Sequence, residues 1–163
     1  MEEKTRKVII LMNSDNNSSI TVCYPFVGDS IGGAQISTQL LFSNLPTQFK
    51  TIIVVHERGP LTDLFDQKSI EYKIISLPIY VGSKSGILNY IVSFLITVPR
   101  IWFFLINSKI DIVHAQDYRI NLSWVLPTKL SRKIHIWHQR SKIANSRLVQ
   151  LFIRLADLVV FNL

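Results

Sequence analysis

The chain contains few of the residues on which several common kinds of catalytic site depend. Its single cysteine, Cys23, excludes a disulfide within the chain, and glutamate occurs only at positions 2, 3, 57 and 71. No cluster of cysteine and histidine has the spacing of a metal site, and no Gly-x-Ser-x-Gly sequence marks a hydrolase nucleophile. No closely spaced pair of carboxylates is placed for glycoside hydrolysis. The remaining candidates for a functional site are histidine, arginine, aspartate and glycine.

Acidic residues are also scarce in the later part of the chain. Residues 1–99 hold 8 Lys/Arg and 8 Asp/Glu, whereas residues 100–163 hold 10 Lys/Arg and 3 Asp/Glu, so the whole net charge of +7 lies there. A basic face attracts anionic lipid, a phosphorylated ligand or nucleic acid, although scattered charges equally suit an ordinary solvated surface. No helix-turn-helix, zinc-finger spacing or RNA-binding aromatic motif is present, and we expect no nucleic-acid partner.

Short apolar runs alternate with helix-like stretches along the chain. Hydrophobic residues make up 48% of the 163 residues, which is enough for one packed domain. The apolar runs predict strands at 20–24, 51–56, 72–77, 110–115, 133–137 and 158–161. Strand and helix in alternation predict an α/β fold, a Rossmann-like parallel sheet with helices on both faces. We interpret residues 1–18 as an N-terminal extension and residues 19–163 as the domain.

A stretch that carries glycines, residues 24–35, joins the first predicted strand to a predicted helix. Glycine lets the backbone approach a ligand closely, and the free N–H groups of a helix N-terminus favour phosphate, so Gly32 and Gly33 are candidates for an anion cradle. A strand-to-helix turn without a ligand would use glycine as well. The helix is predicted over residues 34–45. Its helical spacing predicts a sheet-facing side made of Ile36, Leu40, Leu41 and Leu45.

Polar residues with useful chemistry follow the later predicted strands. In a parallel α/β sheet, ligands bind beyond the carboxyl ends of the strands. The candidates there are His114, Asp117, Arg119, His138 and Arg140. Histidine can act as an acid, a base or a hydrogen-bond donor near neutral pH, and arginine can bind phosphate or carboxylate. A structural histidine and a surface ion pair are the alternative interpretations.

Residues 86–107 form a nearly continuous apolar segment. As a helix it would reach roughly 30 Å, enough to span a bilayer. A narrow polar stripe argues against a span; it consists of Asn89, Ser93, Thr97, Arg100 and Asn107. Three alternatives remain, namely a helix buried against the sheet, a helix that also docks on a membrane surface, and a true span.

Four short motifs occur in a familiar order. They are Gly32-Gly33-Ala34-Gln35, Gly59-Pro60-Leu61, Asp111-Ile112-Val113-His114-Ala115 and Ala156-Asp157-Leu158-Val159-Val160. In this order and spacing, residues 19–163 resemble the N-terminal domain of family-four retaining glycosyltransferases, which have two Rossmann-like domains in the GT-B fold.

The resemblance implies transfer of a sugar from a nucleotide-sugar donor to a glycan or lipid-linked acceptor, with no cofactor and no bound metal. It also implies that this domain binds mainly the acceptor, that Gly32 and Gly33 lie near the donor diphosphate, and that His138 lies near the reacting sugar as a catalytic residue. His114, Asp117, Arg119 and Arg140 would surround the acceptor at the rim. Members of the family commonly dock on membranes through this domain, which suits residues 86–107.

One departure from the family pattern concerns the donor. The family holds it mostly in a second domain with a Glu-x7-Glu motif, and this chain lacks that motif. We therefore expect a chain truncated before the donor-binding domain and inactive alone. The alternative is a non-catalytic module that binds a ligand or a membrane surface. The single cysteine fits a reducing cytosol, so we expect a cytoplasmic protein, with peripheral contact at the inner face of the membrane under the docking alternative.

Overall fold

The computed structural model of the chain describes residues 19–78, 87–140 and 147–161. The predicted extension, residues 1–18, lies outside these ranges. Six strands are present in this part: β1 (Ile20–Phe26), β2 (Phe49–Val55), β3 (Lys73–Ile74), β4 (Ile112–Ala115), β5 (Ile134–Gln139) and β6 (Leu158–Phe161). Five helices connect them: α1 (Gly33–Ser43), α2 (Pro60–Gln67), α3 (Ile87–Ile106), α4 (Tyr118–Leu130) and α5 (Arg147–Leu155).

The strands form one sheet in the order β3-β2-β1-β4-β5-β6, and every neighbouring pair is parallel. This is the doubly wound Rossmann order, and the predicted α/β fold is confirmed. The direction of winding reverses between β1 and β4. Helix α1, which follows β1, covers one face of the sheet, and helix α4, which follows β4, covers the other. The crevice beyond the carboxyl ends of these two strands is the usual ligand position in such a sheet.

Predicted and observed elements differ in extent at several points. The third strand has only two residues instead of the predicted run 72–77. The sequence predicts a helix over residues 121–130 that is interrupted at Pro127, whereas helix α4 begins at Tyr118 and continues through this proline. Strand β5 continues to Gln139, so His138 lies within the strand and not after it. Because side chains alternate along a strand, this extension fixes the face on which His138 stands.

Helices α1 and α2 cover one face of the sheet. Leu61 and Phe65 of α2 and Phe42 of α1 pack against β1 residues such as Tyr24 and Phe26. The predicted orientation of α1 is wrong, since three residues expected to face the sheet are exposed: Ile36 (38%), Leu40 (61%) and Leu41 (39%). The sheet-facing side of α1 consists of Thr38 and Phe42, one helical turn apart, and Leu45, the fourth residue expected on this side, packs against the same core just beyond the end of the helix.

Helices α3 and α4 cover the opposite face. Their buried residues, among them Ile101, Leu105 and Trp124, pack with Cys23, Val113 and Ala115 of the central strands. Helix α5 packs beside α4, and a smaller cluster around Val125 and Trp137 lies on the same side. The sheet is therefore covered by helices on both faces.

Helix α3 is only half buried. Its outward side carries seven large apolar residues at helical spacing: Ile91, Val92, Leu95, Ile96, Trp102, Phe103 and Ile106. The predicted polar stripe is not one solvent-facing side, because Thr97 is fully buried whereas Arg100 is exposed and donates to the Ser76 carbonyl. Within the described ranges, no helix combines the length and the apolar character needed to cross a membrane.

Two aspartates that precede strands make the same reciprocal pair of hydrogen bonds. The Asp111 N–H donates to the Thr21 carbonyl at 3.0 Å, and the Asp111 carboxylate accepts from the Thr21 N–H at 2.9 Å. Asp157 repeats the pattern with His135, at 3.0 Å in both directions. Each aspartate thus fixes the start of one parallel pair, β1 with β4 and β5 with β6. This role explains the aspartates of the two motifs without any ligand.

Replacing Asp157 by alanine is expected to lower the free energy of unfolding by about 2 kcal/mol, because the His135 N–H loses a charged acceptor in a partly buried position. The Lys129 ion pair of Asp157 is half exposed and adds little. Urea unfolding of the purified chain measures the change. Asp157→Asn is the matched control, since its amide oxygen can still accept the bond and the loss should be about half. An alanine variant as stable as the wild type would contradict the role.

Candidate functional site

The loop after β1 is held in place by a close backbone contact with the loop after β2. Gly28 has a φ of 110°, and a Cβ there would lie 2.1 Å from the Glu57 carbonyl oxygen. On the other side of the contact, a Cβ on Gly59 would lie 2.7 Å from the Gly28 carbonyl oxygen. The Leu61 N–H donates to the same Gly28 oxygen at 3.3 Å. Glycine is therefore required at position 28 by the fold itself.

Gly32 and Gly33, the predicted diphosphate-binding pair, are placed differently from Gly28. The Gly32 N–H donates to the Gln35 side-chain oxygen at 3.0 Å and is already engaged. Gly33 is the first residue of α1, and a Cβ there would meet nothing within 4 Å. Neither steric contact nor backbone conformation requires glycine at position 33, which leaves its surface open to a ligand.

Ser37 connects the start of α1 to the end of β5. Its hydroxyl donates to the Gly33 carbonyl at 2.7 Å and accepts a hydrogen bond from Arg140 Nη1. Ser37 is one helical turn after Gly33, so the two groups lie on one side of α1. The structure thus brings Arg140 to the glycine turn, as expected for residues at the carboxyl edge of the sheet.

His114 and His138 stand on adjacent strands and on the same face of the sheet. Their rings are nearly parallel, with centroids 5.7 Å apart and an interplanar angle of 13°. Tyr24 lies on the other side of His114, with ring centroids 5.5 Å apart. Burial, followed by electrostatic repulsion from the neighbouring His138 and Arg140 side chains, lowers the pKa of His114 to about 4. His114 is therefore neutral at physiological pH and acts as a hydrogen-bonding ring and not as a cation.

Gln116 follows β4 and lies against His114. It is 5% exposed, and its side-chain nitrogen is 3.4 Å from His114 Nε2. Since neutral His114 has one unprotonated ring nitrogen that can accept a hydrogen bond, the amide N–H of Gln116 donates to it. Gln116 directly follows the predicted strand 110–115 but is not among the predicted site residues. Nothing in the sequence distinguished it from its neighbours, because a single glutamine has no spacing pattern.

Asp117 and Arg119 belong to a second group on the rim. Asp117 caps α4 by accepting from the Arg119 N–H at 2.7 Å, and it lies 3.5 Å from the Arg119 guanidinium. That guanidinium binds both carboxylate oxygens of Asp29, at 2.7 and 3.1 Å. The ion pair lowers the pKa of Asp29, mainly through the hydrogen bond from Arg119. The predicted rim therefore separates into a histidine–arginine group beside α1 and an ion-pair group that ties the glycine loop to α4.

Two further histidines are buried and structural. His56 accepts a hydrogen bond from the Trp124 indole N–H at 2.9 Å, and burial followed by the charge of Arg119 lowers its pKa to about 4. His135 donates from Nε2 to the Asn121 side-chain oxygen at 3.1 Å, because the Asn121 amide nitrogen itself donates to carbonyls. Burial lowers the pKa of His135 to about 3.

The arrangement can bind an anion or hydroxyl groups and can hold a proton on an imidazole. Arg140 supplies a fixed positive charge, the start of α1 supplies backbone N–H groups, and His138 supplies a ring that donates or accepts. Among the described residues, no group of three or more histidines, cysteines or acidic residues is placed to hold a metal ion.

Searches for related proteins found likeness at the level of the fold. No protein family and no curated protein sequence matches the chain. Among solved structures, MurG of Acinetobacter baumannii superimposes on 88% of this chain with 13% identity and a TM-score of 0.59. Alr3699/HepE of Anabaena, crystallised with UDP and glucose, covers 86% with 14% identity and a TM-score of 0.61.

A third solved structure, a UDP-N-acetylglucosamine 2-epimerase, covers 87% of the chain with 13% identity and a TM-score of 0.62. The matched part is 41%, 37% and 41% of the MurG, HepE and epimerase chains respectively, so this chain spans about two fifths of the length of the structures it matches. The described chain has the fold of one Rossmann-like half of a GT-B protein.

Proposed function

We propose that this chain is the acceptor-side half of a glycosyltransferase of the family-four type, which moves a sugar from a nucleotide-sugar donor to a glycan or lipid-linked acceptor. One observation carries the proposal. A continuous set of polar contacts runs from Gly33 through Ser37 to Arg140, beside the stacked rings of His114 and His138. It lies at the carboxyl edge of the sheet, next to the point where the winding reverses.

The proposed roles follow from the chemistry of each group. The open surface of Gly33 and the N-terminus of α1 receive the donor diphosphate. Gly32 contributes through the shape of the backbone, because its N–H already donates to the Gln35 side chain. His138 lies near the reacting sugar as the catalytic candidate, and Arg140 and His114 surround it. Asp117 and Arg119 act indirectly by holding the glycine loop through Asp29.

The names of the solved structures support a nucleotide-sugar ligand. HepE was crystallised with UDP and glucose, and the epimerase is named for UDP-N-acetylglucosamine. Because the chain corresponds to about two fifths of those proteins, we further propose that a second domain completes the donor site and that this half is inactive alone. The lack of a Glu-x7-Glu motif in the chain supports this division.

Gly33→Val is expected to weaken binding of UDP by at least about tenfold, because the new side chain occupies the space that the diphosphate would approach. Titration of UDP followed by ³¹P chemical shift measures the effect, and Gly33→Ala should give a smaller loss. Both variants should keep a free energy of unfolding within about 1 kcal/mol of the wild type, since a Cβ at position 33 meets no neighbour. Equal binding by wild type and Gly33→Val, or no binding by wild type, would contradict the diphosphate role.

A second candidate function, a module that docks on a membrane surface, is favoured by the outward side of α3. Leu95 and Phe103 are each 63% exposed and lie in a stripe of apolar residues that continues along the helix. A patch of this kind on a soluble surface is costly unless it meets a partner, and an amphipathic helix buries such a stripe in the interface of a bilayer. The excess of basic residues after position 99 suits anionic lipid. Docking would also serve a lipid-linked acceptor.

Co-sedimentation with vesicles rich in phosphatidylglycerol tests the docking. The wild type is expected to pellet with the vesicles at low salt, and a Leu95→Glu, Phe103→Glu double variant should lose most of this binding. Leu151→Glu is the control, because Leu151 is 55% exposed on a different helix, α5. Failure of the wild type to bind the vesicles, or equal binding by the double variant, would contradict the proposal that α3 docks on a membrane surface.

A further inference from the structure

The side chain of Gln116 is buried with one of its polar atoms unsatisfied. Its nitrogen donates to His114, whereas its oxygen, Oε1, has no hydrogen-bond partner among the described residues. Leaving such an amide oxygen buried and unpaired destabilises the folded chain. An unpaired buried acceptor at the edge of a candidate site is therefore better explained by a ligand than by the core.

Arg140 provides a complementary unpaired donor near the same ring. Its Nη1 is used by Ser37, but its Nε–H is buried without a partner among the described residues. Gln116 contacts His114 directly, and the charge of Arg140 is close enough to act on the His114 ring. The hydrogen-bond acceptor on Gln116 and the hydrogen-bond donor on Arg140 thus both lie near the His114 ring.

These two orphan atoms select the chemistry of a ligand. An amide oxygen needs a hydrogen-bond donor, and a phosphate or carboxylate offers only acceptors to it. An Nε–H needs an acceptor, which a lone ammonium or amide N–H does not provide. Hydroxyl groups can satisfy both, because each donates one hydrogen bond and accepts others. Neighbouring hydroxyls of a sugar ring present this combination within a few ångströms.

We propose that Gln116 and Arg140 bind hydroxyl groups of a sugar seated against the His114–His138 stack, Gln116 by accepting a hydrogen bond and Arg140 by donating one. The proposal rests on the proposed function in one respect, since it takes the sugar to be the group transferred to or from this rim. It adds Gln116 as a residue that determines which sugar hydroxyls are accepted. The proposed position of the diphosphate remains at the start of α1. The contacts proposed there do not include a hydrogen-bond acceptor such as the Gln116 oxygen.

Saturation-transfer NMR with neutral methyl glycosides tests this on the chain itself. We expect millimolar methyl glucoside, galactoside or N-acetylglucosaminide to receive saturation from the protein and to shift the imidazole signals of His114 and His138. Gln116→Leu should weaken binding of the preferred glycoside by about tenfold, the effect of one lost buried hydrogen bond. Gln116→Glu keeps an acceptor oxygen and should bind within about threefold of the wild type. Gln48→Leu, the same change at an exposed position on the opposite edge of the sheet, is the control.

The order of the two Gln116 variants separates ligand binding from a structural role. If Gln116 served only the fold, the buried charge of Gln116→Glu would be more damaging than leucine, and the glycoside would bind the leucine variant normally. That order would overturn the proposal, as would imidazole shifts produced equally by inorganic phosphate. So would the absence of any glycoside effect. UDP titrated into the same samples keeps the two proposals apart: glycoside binding without UDP binding leaves this site standing and removes the nucleotide donor, and the reverse removes only this site.

Discussion

Acidification from pH 7 to pH 5 is expected to lower the free energy of unfolding of this chain by about 6 kcal/mol. Burial holds the pKa of His56 and His114 at about 4 and that of His135 at about 3, whereas an unfolded histidine titrates near 6.5. As the pH falls below 6.5, the histidines of the unfolded chain become protonated, whereas the three buried histidines of the folded chain stay neutral. Each imidazole then costs the fold about 2 kcal/mol at pH 5.

The sign and the pH window distinguish this effect from ordinary acid denaturation. The contribution of the neutral histidines is fully present above pH 6.5, declines as the pH falls, and is lost by about pH 4, where the folded imidazoles also protonate. The paired carboxylate of Asp29 has a lowered pKa, so its contribution is lost only at still lower pH. A decline between pH 6.5 and 5 therefore reports on histidine.

Urea unfolding at pH 7, 6 and 5 measures the decline, and His56→Gln supplies the matched variant. The glutamine oxygen can accept the Trp124 indole N–H but does not titrate, so the variant should lose only about 4 kcal/mol over the same interval. Its stability at pH 7 should be close to that of the wild type. A wild-type decline smaller than about 2 kcal/mol, or an unchanged decline in the variant, would show that the histidines are not held neutral.

Gly28→Ala is expected to destabilise the chain by about 3–5 kcal/mol. A Cβ at this position would lie 2.1 Å from the Glu57 carbonyl oxygen and 2.7 Å from Val55 Cγ1, and alanine is strained at a φ of 110°. The loop after β1 would have to move away from the loop after β2. A chain of this size should then melt roughly 6–20 °C lower.

Calorimetry measures the melting temperature of Gly28→Ala, and Gly33→Ala is the matched control. The two changes add the same methyl group to the same loop region, but position 33 has open space and ordinary helical geometry. Gly33→Ala should be neutral or stabilising by up to about 1 kcal/mol. If both variants melt together, the Gly28 contact with the Glu57 carbonyl does not hold the loop.

The centre of the sheet was predictable from the sequence because its central strands, β1 and β4, are largely buried on both faces. Mostly apolar runs such as 20–24 and 51–56 need no tertiary information to be identified, and their alternation with helices leaves few topologies. The orientation of α1 was not predictable in the same way. Its larger apolar residues, Leu40 and Leu41, are exposed, whereas a small polar residue, Thr38, is buried because its hydroxyl donates to the Ala34 carbonyl within the helix.

The residue types of the candidate site were predictable from the sequence, but the hydrogen bonds and ion pairs between them were not. His114, His138 and Arg140 could be placed at one edge by counting strands. Ser37 could have been found from its position one turn after Gly33, since that spacing puts a hydroxyl on the side of the glycine turn. Gln116 and Asp29 could not, because a single polar residue in a loop acquires its partner only when distant segments meet.

The position of β1 at the centre of the sheet has a consequence for synthesis of the chain on the ribosome. β1 pairs with β2 soon after it appears, but its other edge waits for β4, whose aspartate binds Thr21 across 90 positions of sequence. At ordinary elongation rates this takes roughly 5–20 s, during which the edge carries unpaired N–H and C=O groups. Folding of the chain is thus limited by a late, long-range pairing, and the first half is exposed to wrong strand partners until that pairing forms.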